Sequence, residues 1–424
     1  MLSTRERWAL ALLALSAFIN YIDRTTLSVG AVSIQRELGL TDYQLGKLLS
    51  AFFWTYAACQ LCSLAGWLVD RFHVGWILAG GFLLWSAATA GTGLSRGFES
   101  LFALRLLLGV GESVAYPAYS HILAAFPENR RGLANGVIDF GSRSGPAFGT
   151  LAGGLLMAGF GWRIFFLSLG LGSMLWLVAW VFVMPGGRAR PSAPASGEPG
   201  EGRAPTVLDI LRQRSAWFTF LCLFSGDYIW YFLITWLPAY LQRERHFPAP
   251  KMAVLGAVAF LAAAVACVFC GWLSDRWISA GATVTRVRKA FCGGGLALAV
   301  VILPVSIVQS DRAAMTLLIL SCAAVGMWTS NVWAITQTLA GPRAAGKWCA
   351  IQNGLGNLSG VAAPWVTGWV LQRTGRFYAA FVVAALVALA GAAFTFFGIG
   401  AVKPVDFASR PKAGGRLSRS PQVG

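Results

Sequence analysis

The sequence predicts an all-α membrane protein in which twelve transmembrane helices form two pseudo-symmetric six-helix bundles. Three observations predict this fold class. Hydrophobic residues make up 56% of the 424 residues and charged residues only 12%, about half the charge of an ordinary soluble domain. The apolar residues occur in blocks of about twenty, which is long enough to cross about 30 Å of hydrocarbon. A short motif is also repeated at equivalent places in the two halves of the chain.

Each apolar block is expected to be a helix, because a lone strand could not satisfy its backbone hydrogen bonds in lipid. The predicted spans, in chain order, are residues 8–33, 45–70, 75–95, 99–124, 132–158, 163–185, 215–242, 250–276, 288–308, 313–339, 346–371 and 377–402. The first block contains charged residues and lacks a small-residue cleavage site. We therefore predict a retained span rather than a secretory signal.

The clearest boundary in the chain is a stretch rich in Pro, Gly, Ala and Ser after the sixth span. This composition, without apolar periodicity, predicts a flexible linker. The predicted organisation is an N-terminal bundle (1–185), a linker (186–214), a C-terminal bundle (215–402) and a tail (403–424).

The formal net charge of +17 raises the question of nucleic-acid binding, but the distribution of the charge argues against it. With the N-terminus inside the cell, the cytoplasmic segments carry roughly twice as many Lys and Arg residues as the opposite segments, which is the bias typical of membrane proteins. The bias predicts cytoplasmic termini and a lipid bilayer as the partner of the basic segments. We expect a multi-pass monomer.

The internal repeat is a hexamer at the end of the second span of each half: GWLVDR over 66–71 and GWLSDR over 271–276. Similar hexamers at equivalent places imply two homologous bundles. Twelve spans with G-x-x-x-D-R after the second and the eighth resemble the major facilitator superfamily. The resemblance implies that the motif caps the following turns and helps to latch the bundles through Gly66, Asp70, Arg71, Gly271, Asp275 and Arg276. The chain departs from the family pattern after Arg71, where His73-Val74-Gly75-Trp76 replaces a glycine followed by basic residues.

Three further matches resemble the anion:cation symporter family. They are Asn20-Tyr21-Ile22-Asp23-Arg24 in the first span, Arg105-x-x-x-Gly109-x-Gly111-Glu112 with Pro117 in the fourth, and Trp236-Leu237-Pro238-x-Tyr240-Leu241 in the seventh. That family includes proton-coupled sugar-acid transporters. The resemblance, which covers about residues 1–400, implies a symporter for an organic anion in a bacterial inner membrane.

Apart from the family resemblance, the strongest indication of function in the sequence is the set of ionisable residues inside the predicted spans. Each costs at least about 3 kcal/mol in a bilayer, so such groups normally face a water-filled cavity, a partner or a substrate. They comprise Asp23, Arg24, Arg105, Glu112, Asp139, Arg143 and Asp227. Together they predict a polar pathway through a membrane bundle.

A symporter for anions needs a fixed cation to hold the substrate carboxylate. Arginine suits this task because it is always charged and can bind a carboxylate in a bidentate way. We predict that Arg24 binds the substrate, with Tyr21 and Tyr56 as hydroxyl contacts.

Proton coupling needs a carboxylic acid that changes its protonation state during transport, and a buried acid near an arginine can do so. We predict that Asp23 and Glu112 carry protons and that Arg105 couples them by pairing with whichever is ionised. The alternative is a set of static ion pairs that only fix helix packing.

Arg143 has two interpretations. It is either a second anion anchor, which would favour a dicarboxylate, or the partner of Asp139 one turn earlier.

In the C-terminal half, polar residues at helical spacing predict contacts with substrate hydroxyls, with inter-helix hydrogen bonding as the alternative. The candidates are Asp227 and Tyr231 on the seventh span and Gln352, Asn353 and Asn357 on the eleventh.

Other function classes are poorly supported by the sequence. Two Cys-x-x-Cys spacings, Cys59/Cys62 and Cys267/Cys270, lie in apolar spans and predict packing rather than a metal site. No metal-ligand cluster or nucleophile–base pair indicates an enzyme, and no cofactor beyond the coupling proton is expected. A non-transporting receptor would leave the buried charges unexplained. An efflux carrier or an anion exchanger of the same fold stays open, because the sequence does not reveal direction.

Overall fold

A computed structural model describes residues 3–62, 64–124, 128–184 and 205–407, and within these ranges it contains helices and no strand. In chain order the helices are α1 (Thr4–Leu38), α2 (Asp42–Leu61), α3 (Leu64–Arg71), α4 (Val74–Thr92), α5 (Phe98–Ser113), α6 (Ala115–Ala124), α7 (Glu128–Ser173), α8 (Leu175–Val183), α9 (Val207–Leu211), α10 (Arg214–Arg243), α11 (Ala249–Ser279), α12 (Val284–Ala299), α13 (Asp311–Thr374) and α14 (Tyr378–Ala393). A 3₁₀ segment, Val300–Ser306, continues α12, and a π-helical turn, Phe394–Gly398, continues α14.

Two of these helices each contain a reversal of the chain at a glycine. The φ angle is +79° at Gly161 in α7 and +63° at Gly341 in α13, in the left-handed region that glycine adopts without steric cost. With these two turns the helices supply twelve crossings, which confirms the predicted fold class.

Within the described ranges, eight segments are long and apolar enough to cross a membrane by length and composition alone. One of them, Phe140–Val183, includes the turn at Gly161 and therefore two crossings. The crossings that are not among the eight are α1, α2 with α3, and the part of α13 after Gly341.

The second and fourth predicted spans are each divided in two, which the sequence analysis did not predict. α2 ends at Leu61 and α3 begins at Leu64, while α5 and α6 meet at Val114. In the fourth span the cause is Pro117, which has no N–H to donate to the carbonyl one turn earlier.

Local signals at the start of the chain explain where the first helices begin and end. Ser3 caps α1 with Glu6, and Thr41 caps α2 with Gln44, each pair forming a reciprocal capping box. Gly39, with φ +63°, ends α1. The predicted linker 186–214 is described only from residue 205 on, where it includes the short helix α9; the tail is described as far as residue 407.

The N- and C-terminal halves meet tightly at the end of the bundles opposite the N-terminus. Asp42 at the start of α2 forms an ion pair with Arg243 at the end of α10, with 2.6 Å between Oδ1 and Nη1. Ser28 of α1 donates a hydrogen bond of 2.6 Å to the carbonyl of Ile234 in α10. These contacts hold the two halves together on this side.

On the same side α2 and α13 approach each other closely at a pair of glycines, Gly46 and Gly368. A Cβ atom at Gly46 would lie 2.8 Å from the Pro364 carbonyl oxygen and 2.9 Å from the Cα of Gly368. Because backbone atoms cannot move aside alone, a side chain here would push the two helices apart.

We predict that Gly46→Ala opens this side of the protein. The test is the distance between spin labels attached through Lys47→Cys and Arg373→Cys, in a chain whose eight native cysteines are replaced by serine. The labels should be farther apart in Gly46→Ala than in the parent. The matched control is Gly80→Ala, whose Cβ would meet nothing within 4 Å. Equal distances in both variants would contradict the prediction.

Candidate functional site

A cavity of about 610 Å³ lies between the two halves of the protein. Its walls come from α1, α2, α3, α6 and α7 on one side and from α10 and α13 on the other. The lining includes Ala65 and Gly66 of α3, Ser120 of α6, and Cys349 and Ala350 shortly after the turn in α13. Since successive spans alternate in direction, these residues lie toward the end that carries the N-terminus. The cavity therefore extends toward the side opposite the glycine contact.

Arg24 of α1 lies on the cavity wall and is only 5% exposed. Three aromatic rings, those of Tyr21, Phe52 and Tyr56, surround its guanidinium at 4.7, 4.9 and 4.8 Å from Cζ to the ring centroids. Such cation–π contacts hold an arginine in a fixed position. Tyr21 and Tyr56 line the cavity as well, so three of the four predicted binding residues of the N-terminal half lie together.

Glu112 lies behind Arg24, away from the cavity. The Arg24 Nε donates to Glu112 Oε2 at 3.1 Å, and Glu112 is 0% exposed. The Nη2 atom of Arg24 and the Oε1 atom of Glu112 have no hydrogen-bond partner among the described residues. Arg24 therefore has one donor engaged by Glu112 and a second donor that no described residue satisfies.

Asp23 and Arg105 complete this group of buried charges. Asp23 is 2% exposed, accepts a hydrogen bond of 3.1 Å from the Thr89 hydroxyl, and has an Oδ2 atom without a partner among the described residues. Arg105 is buried with its Cζ 5.8 Å from the Phe52 ring centroid. Among the described residues the Arg105 Nε has no hydrogen-bond partner, and no described carboxylate lies within 4.0 Å of the guanidinium to form an ion pair. Among these four buried charges, the ion pair within 4.0 Å is Arg24–Glu112 rather than one of Arg105.

The C-terminal half supplies an aromatic wall with one carboxylate. Asp227 and Trp230 of α10 line the cavity opposite Arg24, together with Trp328 and Trp333 of α13. The indole of Trp328 packs where a side chain at Gly226 would stand, since a Cβ there would lie 2.2 Å from it. The Trp328 Nε1 has no hydrogen-bond partner among the described residues.

A polar network crosses the cavity from one half to the other. The Tyr231 hydroxyl donates to Asn357 Oδ1 at 2.9 Å. Asn353 Nδ2 donates to Gln60 Oε1 at 3.0 Å, and Asn357 Nδ2 approaches the same oxygen at 3.4 Å. All four side chains line the cavity. The predicted residues Tyr231, Asn353 and Asn357 thus lie close together, and the two asparagines contact Gln60 of α2.

Gln60 was missed by the sequence analysis, although a signal was present. It follows Tyr56 by one helical turn in an apolar span, where any polar side chain is expected to face a cavity or a partner.

Several predicted site residues lie elsewhere or outside the described part. Gln352 is not among the lining residues; it accepts from Thr336 at 2.8 Å and donates to the Thr219 carbonyl at 3.3 Å. The side chains of Asp139 and Arg143 are not described, so both interpretations of Arg143 stay predictions.

The repeated motif residues are spread over one end of the protein. Gly66 lines the cavity and Arg71 is exposed, while the Asp70 side chain is not described. Asp275 forms an ion pair with Arg288 of α12 at 2.8 Å, within the C-terminal half.

The other motif residues of that half are Gly271, where a Cβ would lie 3.7 Å from Ser330 Cβ, and Arg276, whose Cζ lies 5.4 Å from the Trp272 ring centroid. In the described ranges no group of three or more His, Cys, Asp and Glu residues is placed to hold a metal ion.

The chain was compared with known proteins, and the comparison identifies its family. The model of the Major Facilitator Superfamily matches residues 13–364. The chain is 31% identical to a probable sulfoacetate transporter of Cupriavidus necator, over 92% of each chain. It is 29% identical to a D-galactonate transporter of Escherichia coli, over 95% of this chain and 97% of the relative.

A solved structure, that of a bacterial homologue of the human lysosomal transporter Spinster, shares the fold. Its TM-score is 0.79 at 19% identity, with 94% of this chain and 98% of that chain covered.

We predict that Gly109→Ala disturbs the surroundings of Arg24. A Cβ at Gly109 of α5 would lie 2.2 Å from the Phe52 carbonyl oxygen and 3.1 Å from the Tyr56 amide nitrogen, so it must displace α2 and the two rings beside the guanidinium. The expected loss of stability is about 1–3 kcal/mol, as for other overpacked sites. A lowered midpoint of thermal unfolding, followed by tryptophan fluorescence, would show it. Gly172→Ala, with open space at the Cβ position, should leave the midpoint unchanged; equal midpoints would contradict the prediction.

Proposed function

We propose that this chain, which belongs to the Major Facilitator Superfamily and is a transporter rather than an enzyme, imports a small organic anion together with protons. The two six-helix bundles would rock about the cavity in alternating access. If the termini are cytoplasmic, as the charge distribution predicts, the cavity described above opens to the cytoplasm and the glycine contact closes the outer side. The host membrane would be a bacterial inner membrane.

The observation that carries the proposal is Arg24. It is a nearly buried guanidinium on a cavity wall, it is held by three aromatic rings, and its Nη2 atom has no partner among the described residues. A guanidinium in this state is suited to a carboxylate or sulfonate, which it can bind with charge-assisted hydrogen bonds. The relatives support this ligand class, because the substrates in their names, sulfoacetate and D-galactonate, are anions.

We base the proposed proton coupling on competition between the substrate anion and Glu112 for the Arg24 guanidinium. A substrate anion at Nη2 would share the guanidinium with Glu112, which has no other described ion-pair partner within 4.0 Å. A buried carboxylate that loses its counter-charge is costly by several kcal/mol. Glu112 is therefore expected to take up a proton when the anion binds. The anion and the proton would then cross together.

Asp23 is proposed as the second proton carrier. Only one of its oxygens has a described hydrogen-bond partner, the Thr89 hydroxyl. Arg105 carries the nearby positive charge without a described carboxylate within 4.0 Å, so it can stabilise either acid in its ionised form. The coupling ion is the proton, and no other cofactor is proposed.

We predict that Arg24→Lys weakens binding of the transported anion by about tenfold or more. Lysine keeps the charge but loses the planar fork and the Nη2 donor, and a hydrogen bond to a charged group contributes about 1.5–3 kcal/mol. Isothermal titration of the purified protein would measure this change. The control is Arg312→Lys at an exposed position. Unchanged affinity in Arg24→Lys would remove Arg24 as the anion anchor.

We predict that Asp23→Asn and Glu112→Gln each abolish uphill uptake. In liposomes, adding the transported acid to the parent should make the outside alkaline as protons enter with it. Neither variant should show this alkalinisation, because the amide cannot carry a proton. Asp311→Asn is the matched control, since that carboxylate lies at the start of α13 and is exposed.

Two outcomes would count against proton symport. A variant that still accumulates substrate against a gradient would defeat the assigned proton carriers. Binding of an anion without proton movement in the parent would indicate anion exchange instead.

A further inference from the structure

We infer that Asn20 of α1 is a positioning residue for the proton on Glu112, because its amide oxygen accepts a hydrogen bond from the protonated carboxylic acid. The inference rests on the proposed function in one respect, which is that Glu112 takes up a proton when the substrate anion engages Arg24. It adds the side chain that receives Glu112 once the anion occupies the guanidinium.

Asn20 lies on the face of α1 that contacts α5 and α6. Ser16, Asn20 and Arg24 follow one another at intervals of four residues and so lie on one face of the helix. Their exposed fractions are 0%, 1% and 5%. At one end of this row the hydroxyl oxygens of Ser16 and Tyr119 are 2.7 Å apart, and at the other end Arg24 Nε donates to Glu112 at 3.1 Å. Asn20 is therefore enclosed between these two contacts.

The buried amide of Asn20 has no hydrogen-bond partner among the described residues, at either Oδ1 or Nδ2. The side chain nevertheless lies beside the Glu112 carboxyl group. Glu112 Oε1 is likewise unpartnered among the described residues, while Oε2 accepts from Arg24. Buried polar groups in proteins are nearly always hydrogen-bonded. Unpartnered atoms on two adjacent buried side chains thus indicate a hydrogen bond that forms in the other protonation state of the acid.

The chemistry of an amide suits the protonated form of Glu112. An ionised carboxylate only accepts hydrogen bonds, and Arg24 satisfies it as a donor. A protonated carboxyl group carries an O–H that needs an acceptor, which a guanidinium does not have. Asn20 supplies both an acceptor oxygen and a donor NH₂, so it can bond to the acid after protonation.

The proposed exchange takes place at named atoms. The anion engages the Arg24 guanidinium, and a proton delivered by water forms an O–H bond at Glu112 Oε1. The buried ion pair is thereby replaced by a neutral acid and an ion pair between Arg24 and the anion. The new O–H donates to Asn20 Oδ1. When the anion leaves, the proton returns from Oε1 to water and the carboxylate pairs with Arg24 again.

The other ionisable groups around Glu112 come from four helices. They are Asp23 and Arg24 of α1, Tyr56 of α2, Arg105 of α5 and Tyr119 of α6. The two arginines have no acceptor atom, and the Tyr119 hydroxyl is already bonded to Ser16. Asp23 and Tyr56 are the competing acceptors, and the experiment distinguishes them from Asn20.

Three variants of the full chain are compared with the parent. Asn20→Leu replaces the amide by an apolar side chain of similar size, and Asn20→Ser keeps a group that both donates and accepts. The matched control is Thr25→Val, which removes another buried hydrogen-bonding group of α1. The Thr25 hydroxyl donates to the Ile22 carbonyl at 3.0 Å and faces α7, where a Cβ at Gly149 would lie 2.6 Å from it. Unfolding midpoints verify that each variant is folded, and Asn20→Ala takes the place of a leucine variant that does not fold.

The first measurement is infrared difference spectroscopy of the purified protein between high and low pH, without any ligand. The band that Glu112→Gln removes is the C=O stretch of protonated Glu112. This band should move to higher frequency in Asn20→Leu, since the acid loses its hydrogen-bond acceptor. It should return toward the parent frequency in Asn20→Ser and stay there in Thr25→Val. A change in helix packing alone would not be reversed by the serine.

The second measurement is isothermal titration with D-galactonate in buffers of different ionisation heat, which gives the protons taken up per bound anion. Asn20→Leu should bind the anion about threefold to tenfold more weakly than the parent, the equivalent of one hydrogen bond. It should also take up fewer protons per anion. Thr25→Val should match the parent in both quantities.

A Glu112 band at the parent frequency in Asn20→Leu would overturn the inference and leave Asp23 or Tyr56 as the acceptor. Absence of any Glu112 band would overturn both the inference and the assignment of Glu112 as a proton carrier. A shifted band without proton uptake in the parent would support the hydrogen bond to Asn20 and contradict only the proposed symport. If D-galactonate does not bind to the parent, the infrared shift alone decides the inference.

Discussion

The ion pair between Arg24 and Glu112 is the constraint on which the rest of the site depends. Burying two opposite charges within a membrane bundle costs less free energy when the two charges pair with each other. Here the pair engages one guanidinium nitrogen and leaves Nη2 without a described partner. The aromatic rings around Arg24 hold the guanidinium in place. The proposed binding of the anion and the proposed proton coupling both depend on this one shared cation.

The two sides of the protein differ because different contacts join the halves. On one side backbone meets backbone at Gly46 and Gly368, and an ion pair joins Asp42 to Arg243. On the other side the halves are separated by the cavity, and the hydrogen bonds described across it are those of Gln60 with two asparagines. Close packing of small residues is rigid over a short range, whereas amide contacts can be exchanged for water or ligand. The asymmetry therefore favours a state that is closed on one side only.

Most of the fold could be predicted from the sequence, because the length and spacing of apolar blocks are set by the bilayer itself. The turns at Gly161 and Gly341 fall between predicted spans for the same reason. The break before Pro117 was not predicted, because the effect of a proline on one carbonyl depends on how the neighbouring turn is packed.

The site was predictable only in part. Arg24, Tyr21 and Tyr56 share one helix or adjacent helices, so their meeting follows from local spacing and family resemblance. The pairing of Arg24 rather than Arg105 with Glu112 depends on helix rotation, which spacing does not fix. Gln352 has the same polar character as Asn353 but lies one residue earlier, and this rotation of about 100° turns it toward Thr336 and Thr219 instead of the cavity.

Three crossings, α1, α2 with α3, and the second part of α13, place polar side chains on the cavity wall. The polarity that shapes the cavity also makes these segments poor candidates for entering lipid alone. α1 is synthesised first, yet Thr89 and Glu112, which engage Asp23 and Arg24, are made only with the third and fourth crossings. Stable insertion of α1 is thus expected to wait for its later neighbours. Biogenesis of this protein would proceed by assembly of several helices at the translocon rather than by their release one at a time.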